Sequence, residues 1–515
     1  MEIAVSQPID KLTEGKFAIW LDRGIIFWIF LFAICAPHSI AATQICWSFG
    51  LLFWVVRFFS KPRPKLERTP IDYLLLGFFL LTTLSSLLSY DPITSIGKLR
   101  AASLFTIVYL VSQNIRSPRL VRALAVTLIA SCMINVVYTA AERAIGRGVK
   151  LTGVNAQSSL SIAGLQENDT ILSVDNHKIR TPEQLVAAIV TPAPGTNEQT
   201  AYVKVYRFEA FPILSVPRGA IPAGTDALER IGAAGWSHGR DWRATGLYSM
   251  YVTYAEALQL IASLAFGLFI SLRQKRSLAG GLLLVCVAGF CFAILLTVTR
   301  ASALSFLVSS VVVVLVGADR RTILVLAACA IPLVFGGLFV LQQKRNVKFF
   351  DPNDGSITWR ETVQREGFHL LISKPRHLAV GVGMDSLKRY WREWGLFENN
   401  LPMGHMHSDF LQLALERGVP TLVVWILLLL AYGQMLWRLI RHPGLEGTME
   451  RGIVLGALGG LVGFVSSGFV HYNWGDSTVV EIFYLIMALT LVIERNVRTG
   501  RLDDLKHWVY EDHRR

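Results

Sequence analysis

The run GIIFWIFLFAICAPHSIA at 24–41 is followed almost at once by ICWSFGLLFWVV, and comparable runs recur to the end of the chain. An apolar stretch of about 20 residues crosses a hydrocarbon core as a helix, because in lipid every backbone polar group must be satisfied within the segment. The immediate recurrence marks the first run as a span and not a cleaved signal peptide. Twelve spans are expected, near 24–41, 43–59, 70–89, 98–114, 120–141, 249–272, 279–298, 301–317, 322–341, 409–437, 451–470 and 477–494. Charged residues make up 17% of the chain and apolar ones 52%, whereas a soluble domain is roughly a quarter charged. The expected fold class is an all-α polytopic membrane protein.

The net charge of +13 sits mostly in alternate gaps: RFFSKPRPKLER, RSPRLVR, RQKR, DRR, RLIRHPGLEGTMER and ERNVRTGR. That distribution argues against a nucleic-acid partner. By the positive-inside rule these gaps and both termini are cytoplasmic. The segments 142–248 and 342–408, the turn at Arg300, and the gaps SYDPITSIG and HYNWGD then face outward. Cys35, Cys46, Cys132, Cys286, Cys291 and Cys329 lie in apolar runs and read as small core residues, with no CxxC pair and no disulfide framework.

Residues 149–216 break the spanning pattern. VKLTGV, the turn GLQENDTILSVDN, a helix opened by Thr181 and Pro182, and the alternating strands AYVKVYRF and FPILSVP describe a small α+β module. It resembles a bacterial PDZ domain through Gly164, Leu165, Asp169, Ile171 and Leu172, with Asn168 and Asn176 where that family has glycine. Asn tolerates positive φ better than other non-glycine residues. The resemblance implies a periplasmic insert whose groove lies beside GRGV (146–149); a peptide ligand and a spacer or docking role are both open.

Four polar clusters face outward on this topology. WRATGLYSMYVTYAEALQL (242–260) carries Arg243, and LTVTRASALSF carries Arg300. In 357–386, Ile357, Val363, Phe368, Leu371 and Ile372 outline an amphipathic helix bearing Arg360 and Arg365 and stopped by Lys374-Pro375. GHMHSDFLQLALERG (404–418) carries His405, His407 and Asp409, and helical spacing puts His407 on one face with Phe410, Leu411 and Ala414.

In their order, RATGLYSMYVTYAEAL, TRAS, Arg360 ahead of Pro375, GVGM and HSDFLQLALERG resemble the motifs of the O-antigen ligase/polymerase superfamily. That group holds O-antigen ligases, O-antigen polymerases and protein O-oligosaccharyltransferases. Departures are Thr299 for Ser, Ala301 for Gly, Gln364 for Trp, Ser408 for Asn and Thr421 for Gly. The resemblance implies a bacterial inner-membrane glycosyltransferase with a periplasmic site. It would move glycan from a polyprenyl diphosphate donor to a glycan, lipid A-core or protein acceptor, by direct inverting displacement and amid membrane lipids.

The residues suit that chemistry. Guanidinium forks bind phosphate oxygens bidentately and stay charged near lipid, so Arg243, Arg300 and Arg360 are the expected diphosphate ligands. A hydroxyl attacking an anomeric carbon needs a proton acceptor, for which imidazole is suited; His407 is the expected base. Arg243, Arg360 and His407 are expected to share one outward pocket. Lys98, Arg100 and His405 are further substrate-binding candidates. Asp409 either tunes His407 or caps the helix after it. Each arginine has the alternative of anchoring at the lipid interface, and Glu416 and Arg417 read as helix packing or a salt bridge. His471, Tyr472, Asn473, Trp474 and Asp476 form an outer turn that could touch sugar. DPND (351–354) lacks metal-binding spacing, so no metal or other cofactor is expected.

The expected organisation is five spans in 1–142, the PDZ-like module in 143–217, spans six to nine in 218–341, a catalytic loop in 342–408, three spans in 409–494 and a cytoplasmic tail in 495–515. A transporter would carry its ionisable groups at mid-span, and a protease would need a nucleophile or zinc motif. The polar clusters sit outside the spans, which disfavours a transporter, and no HExxH motif accompanies the module.

Overall fold

The computed structural model describes residues 15–207, 210–325, 355–399 and 404–501, with positions 328, 336 and 339 between the second and third stretches. Most of the expected span 322–341, Cys329, the DPND stretch and the tail beyond 501 lie outside the described residues. Two compact units emerge: one of residues 1–135 and 245–515, the other of residues 136–244.

Ten helices in the described residues are long and apolar enough to cross a membrane, and Asp72–Leu87 is a shorter apolar helix. The chain is a multi-pass membrane protein. Local chemistry starts several of these helices. The side chains of Ser39, Ser277, Thr448 and Asp476 each accept a hydrogen bond from the first turn of the helix they precede.

Two expected spans are built differently. Hydropathy starts the fourth at 98, but Asp91 caps a helix opened by Pro92, and the segment runs as Pro92–Gly97, Leu99–Ala102, a 3-10 turn at Ser103–Phe105 and Thr106–Asn114. The tenth, expected as one helix over 409–437, divides at Gly418 into Asp409–Arg417 and Val419–Ile440. Gly418 has φ +84°, and a Cβ there would lie 2.5 Å from the Ala379 carbonyl oxygen. Pro420, in the first turn of the second helix, reinforces the break.

Helices Tyr251–Ser271 and Met449–Ser467 approach at backbone distance. A Cβ on Gly456 would meet Leu264 Cα at 2.6 Å, and one on Gly267 would meet the Gly456 nitrogen at 2.2 Å. In lipid, helices gain from such small-residue contacts because apolar side chains alone do not drive association.

The second unit is an antiparallel sheet of β1 (Arg147–Val154), β2 (Thr170–Val174), β3 (His177–Lys178), β4 (Thr200–Tyr206), β5 (Ile213–Pro217) and β6 (Ala233–Gly239), in the order β5-β4-β2-β1-β6 with β3 paired to β2. Val149, Ile171, Val203, Val205 and Val216 pack with Leu185 and Ile189 of helix Pro182–Val190 into its core. Asn168 and Asn176 take φ +70° and +66°, the conformation their glycine-like positions require. Expected to close at 217, the module continues to β6, which pairs along β1 from Arg147↔Gly239 to Val154↔Ala233. AAGWSHG lacks the apolar alternation that marks a strand, so β6 was invisible to periodicity.

Candidate active site

The chain turns tightly before helix Asp409–Arg417. Gly404 has φ +82° and His407 φ +50°, and Ser408 then caps the helix by accepting the Leu411 N–H. His407 therefore precedes the helix and does not share its apolar face with Phe410, Leu411 and Ala414. The core contact is made by Met406, fully buried, whose N–H donates to Gln412 Oε1 at 2.7 Å.

This turn sets two imidazoles edge to face, with ring centroids 4.3 Å apart. The His407 N–H donates to His405 Nδ1 at 3.3 Å, which leaves that nitrogen unprotonated in neutral His405. His407 Nε2 is buried and has no hydrogen-bond partner among the described residues. Burial, then His405, Arg360 and His471, push the His407 imidazole down to about 3. Burial, then His471, Lys388 and Arg360, push His405 down to about 4. Both rings are neutral at ordinary pH, so an unprotonated nitrogen can accept a proton. Arg360, from helix Gly355–Ile372, is near enough to act on both.

Other elements frame the pair. His471 bonds Glu256 at 2.7 Å through Nδ1, and Glu256 also accepts from Ser467 at 3.1 Å. Tyr472 lies 6.1 Å from the His405 ring, between centroids, and donates its hydroxyl to Glu416 at 3.3 Å. The other Glu416 oxygen accepts the Asp385 N–H at 3.0 Å. Asp385 takes ion pairs from Lys98 at 2.9 Å and Lys388 at 2.8 Å, and their hydrogen bonds lower its carboxyl despite opposition from burial.

The candidates thus fall into distinct places. His405, His407 and Arg360 are brought together, and Lys98 connects to them through Asp385, Glu416 and Tyr472. Asp409 is not the helix cap; its carboxyl accepts the Trp474 N–H at 2.9 Å and ties the helix to the 468–474 turn. Burial pushes that carboxyl well above the usual carboxylate range. Arg300 opens helix Arg300–Gly317 just after Val298, which has φ +55°. Arg100 is exposed on its short helix. Arg243 belongs to the inserted unit, where its N–H meets the Tyr206 hydroxyl at 3.4 Å. Glu256, Asp385 and Lys388 were not singled out from sequence. Glu256 carried a signal, since an acid inside an apolar span is functional or paired. Among the described residues, no three His, Cys, Asp or Glu are grouped to hold a metal ion.

The stretch that supplies Arg360 and both imidazoles also has a match among known families. Residues 285–426 match the O-antigen ligase family. No curated protein matches the chain. The O-antigen ligase match takes in Arg300, Arg360, His405, His407 and Asp409; it excludes the inserted unit, Arg243 and the 471–476 turn. It supports an enzyme of glycosyltransferase type in O-antigen ligase-like glycan biosynthesis.

Proposed function

We propose that the chain transfers an oligo- or polysaccharide from a polyprenyl diphosphate to an acceptor hydroxyl, as an O-antigen ligase-like enzyme of the bacterial inner membrane with its site on the periplasmic side. The observation that carries this reading is the buried, unpartnered His407 Nε2 held beside Arg360. An acceptor hydroxyl donates to that nitrogen, its oxygen attacks the anomeric carbon, and the carbon–oxygen bond to diphosphate breaks with inversion. The electron pair leaves on the phosphate oxygen, which Arg360 neutralises, with Arg300 as a further phosphate ligand. The hydroxyl proton goes to His407. Arrival of the anionic donor offsets the cationic contribution that depresses the imidazole, moving it toward a useful basicity. No metal or other cofactor enters this scheme.

Polymerisation of repeat units and O-glycosylation of a protein share the donor chemistry and differ only in acceptor. Positive-inside charge supports cytoplasmic termini. The inserted unit is read as PDZ-like on the Gly164–Leu172 motif. Its β1 edge beside Gly146 and Gly148 is occupied by β6 of the same chain, which favours spacing or docking over peptide capture at that edge.

The test is a disruption strain complemented with wild type, Arg360→Lys or His407→Ala. Loss of transfer, with glycan retained on its lipid carrier and protein normally inserted, is expected for both variants. Long chains on the carrier indicate a ligase, single repeat units a polymerase, and unglycosylated secreted protein the third acceptor class. Wild-type transfer by either variant removes the assigned roles.

A further inference from the structure

At the far ends of the helices that frame the candidate site lies a second polar concavity. Ser467, which bonds Glu256, and Arg451 stand on one helix sixteen residues apart, about 24 Å at 1.5 Å per residue. Near Arg451 is a cavity of about 780 Å³ whose lining includes Arg273, Lys275, Arg276, Arg451, Asp319 and Glu446. Four cations thus face two carboxylates. Among the described residues none of the three guanidiniums has an ion-pair partner. The adjacent acid Glu450 is bound instead by Arg122, at 2.6 and 3.1 Å. The Arg273 guanidinium lies against the turn at Gly447, which has φ +72° and whose missing Cβ would lie 2.3 Å from Arg273 Nε. A second hollow of about 420 Å³ shares Glu446 and Arg451 and adds Trp437, Arg441 and His442.

We propose that this cavity binds a phosphate monoester or diester anion, as carried by an acidic phospholipid headgroup, at the membrane face opposite the candidate active site. Guanidinium groups match phosphate oxygens in fork geometry. Basic pockets between helix ends recognise headgroups by this chemistry, beyond the diffuse attraction of a charged leaflet. Trp437, with Arg441 stacked 4.3 Å from its ring, adds an amphipathic surface suited to the headgroup level.

The full chain would be placed in phosphatidylcholine nanodiscs with or without phosphatidylglycerol, and in a separate arm with inorganic phosphate. Bound lipid would be counted by native mass spectrometry, and thermal midpoints followed alongside. Wild type is expected to retain phosphatidylglycerol and to melt higher in its presence. Arg273→Gln/Arg451→Gln is expected to bind it about tenfold more weakly, while Arg273→Lys/Arg451→Lys keeps most of the binding and reports intact folding. Arg320→Gln/Arg321→Gln removes the same charge outside the cavity and should leave binding unchanged. Displacement of the lipid by inorganic phosphate supports the shared chemistry with free phosphate as its source. Unchanged retention in the Gln pair, or equal loss in the 320/321 control, overturns the site.

Discussion

Gln364 donates from Nε2 to the carbonyl oxygen of His407 at 3.1 Å. Gln364 lies one helical turn beyond Arg360, so this bond ties the arginine-bearing helix to the strained turn that holds the imidazole. The position is one where the O-antigen ligase resemblance leads one to expect Trp.

Gln364→Ala should lower transfer while leaving insertion unchanged. A neutral hydrogen bond contributes about 1 kcal/mol net, so a rate loss of roughly fivefold is expected. Steady-state transfer in membranes with matched protein levels checks this, and an unchanged rate means the turn holds without that tether.

Acidification should destabilise the protein through the histidine pair. His405 and His407 titrate near 4 and 3 when folded but near 6.5 when unfolded. Between those values only the unfolded chain is protonated, so stability is full above about pH 6.5 and falls as pH drops toward 4. Thermal midpoints in detergent should decline over that window, and His405→Gln/His407→Gln should flatten the decline.

Asp409 contributes with the opposite sign. Its carboxyl is raised by burial, so its penalty grows as pH rises above the unfolded value near 3.9. Asp409→Asn should be neutral or stabilising at pH 7, and Asp409→Leu should lose about 1–3 kcal/mol with the Trp474 contact. Thermal melts of the two variants at pH 7 separate a neutral hydrogen-bonding group from a required charge.

Removing residues 149–216 should harm the protein more than removing 146–240. The shorter deletion strands β6 without β1, leaving an unpaired strand edge that invites aggregation. Size-exclusion profiles of the two deletions check this; equal behaviour would mean β6 is dispensable to the module.

Most spans were legible because hydropathy is a one-dimensional property, and eleven of the twelve expected runs have a helix in the described residues. What escaped were features set by contacts distant in sequence. The division at Gly418 follows from the Ala379 carbonyl lying against it. The left-handed turn at His407 carries no marker comparable to glycine, and β6 is a strand because β1 offers an edge. Arg360 and the histidines stood out in the sequence as unusual residue types in an apolar chain, and the fold brings them together. The acids that orient their neighbours, Glu256 and Asp385, were overlooked because a single carboxylate has no spacing to read.

The close backbone contact between helices Tyr251–Ser271 and Met449–Ser467 should be sensitive to one methyl group. Gly267→Ala or Gly456→Ala forces a Cβ within 2.6 Å of backbone atoms and should cost about 1–3 kcal/mol. Gly281→Ala, with nothing within 4 Å, should be neutral or better. Melting temperatures of the three variants decide it.

If the donor is the polyprenyl diphosphate proposed above, that glycine seam also restricts how its isoprenoid reaches the imidazoles. Two helices locked backbone to backbone cannot serve as doors, because separating them breaks a run of contacts at once. On the reading proposed above, a lipid tail would therefore pass along some looser flank of the bundle, with this pair acting as a fixed wall.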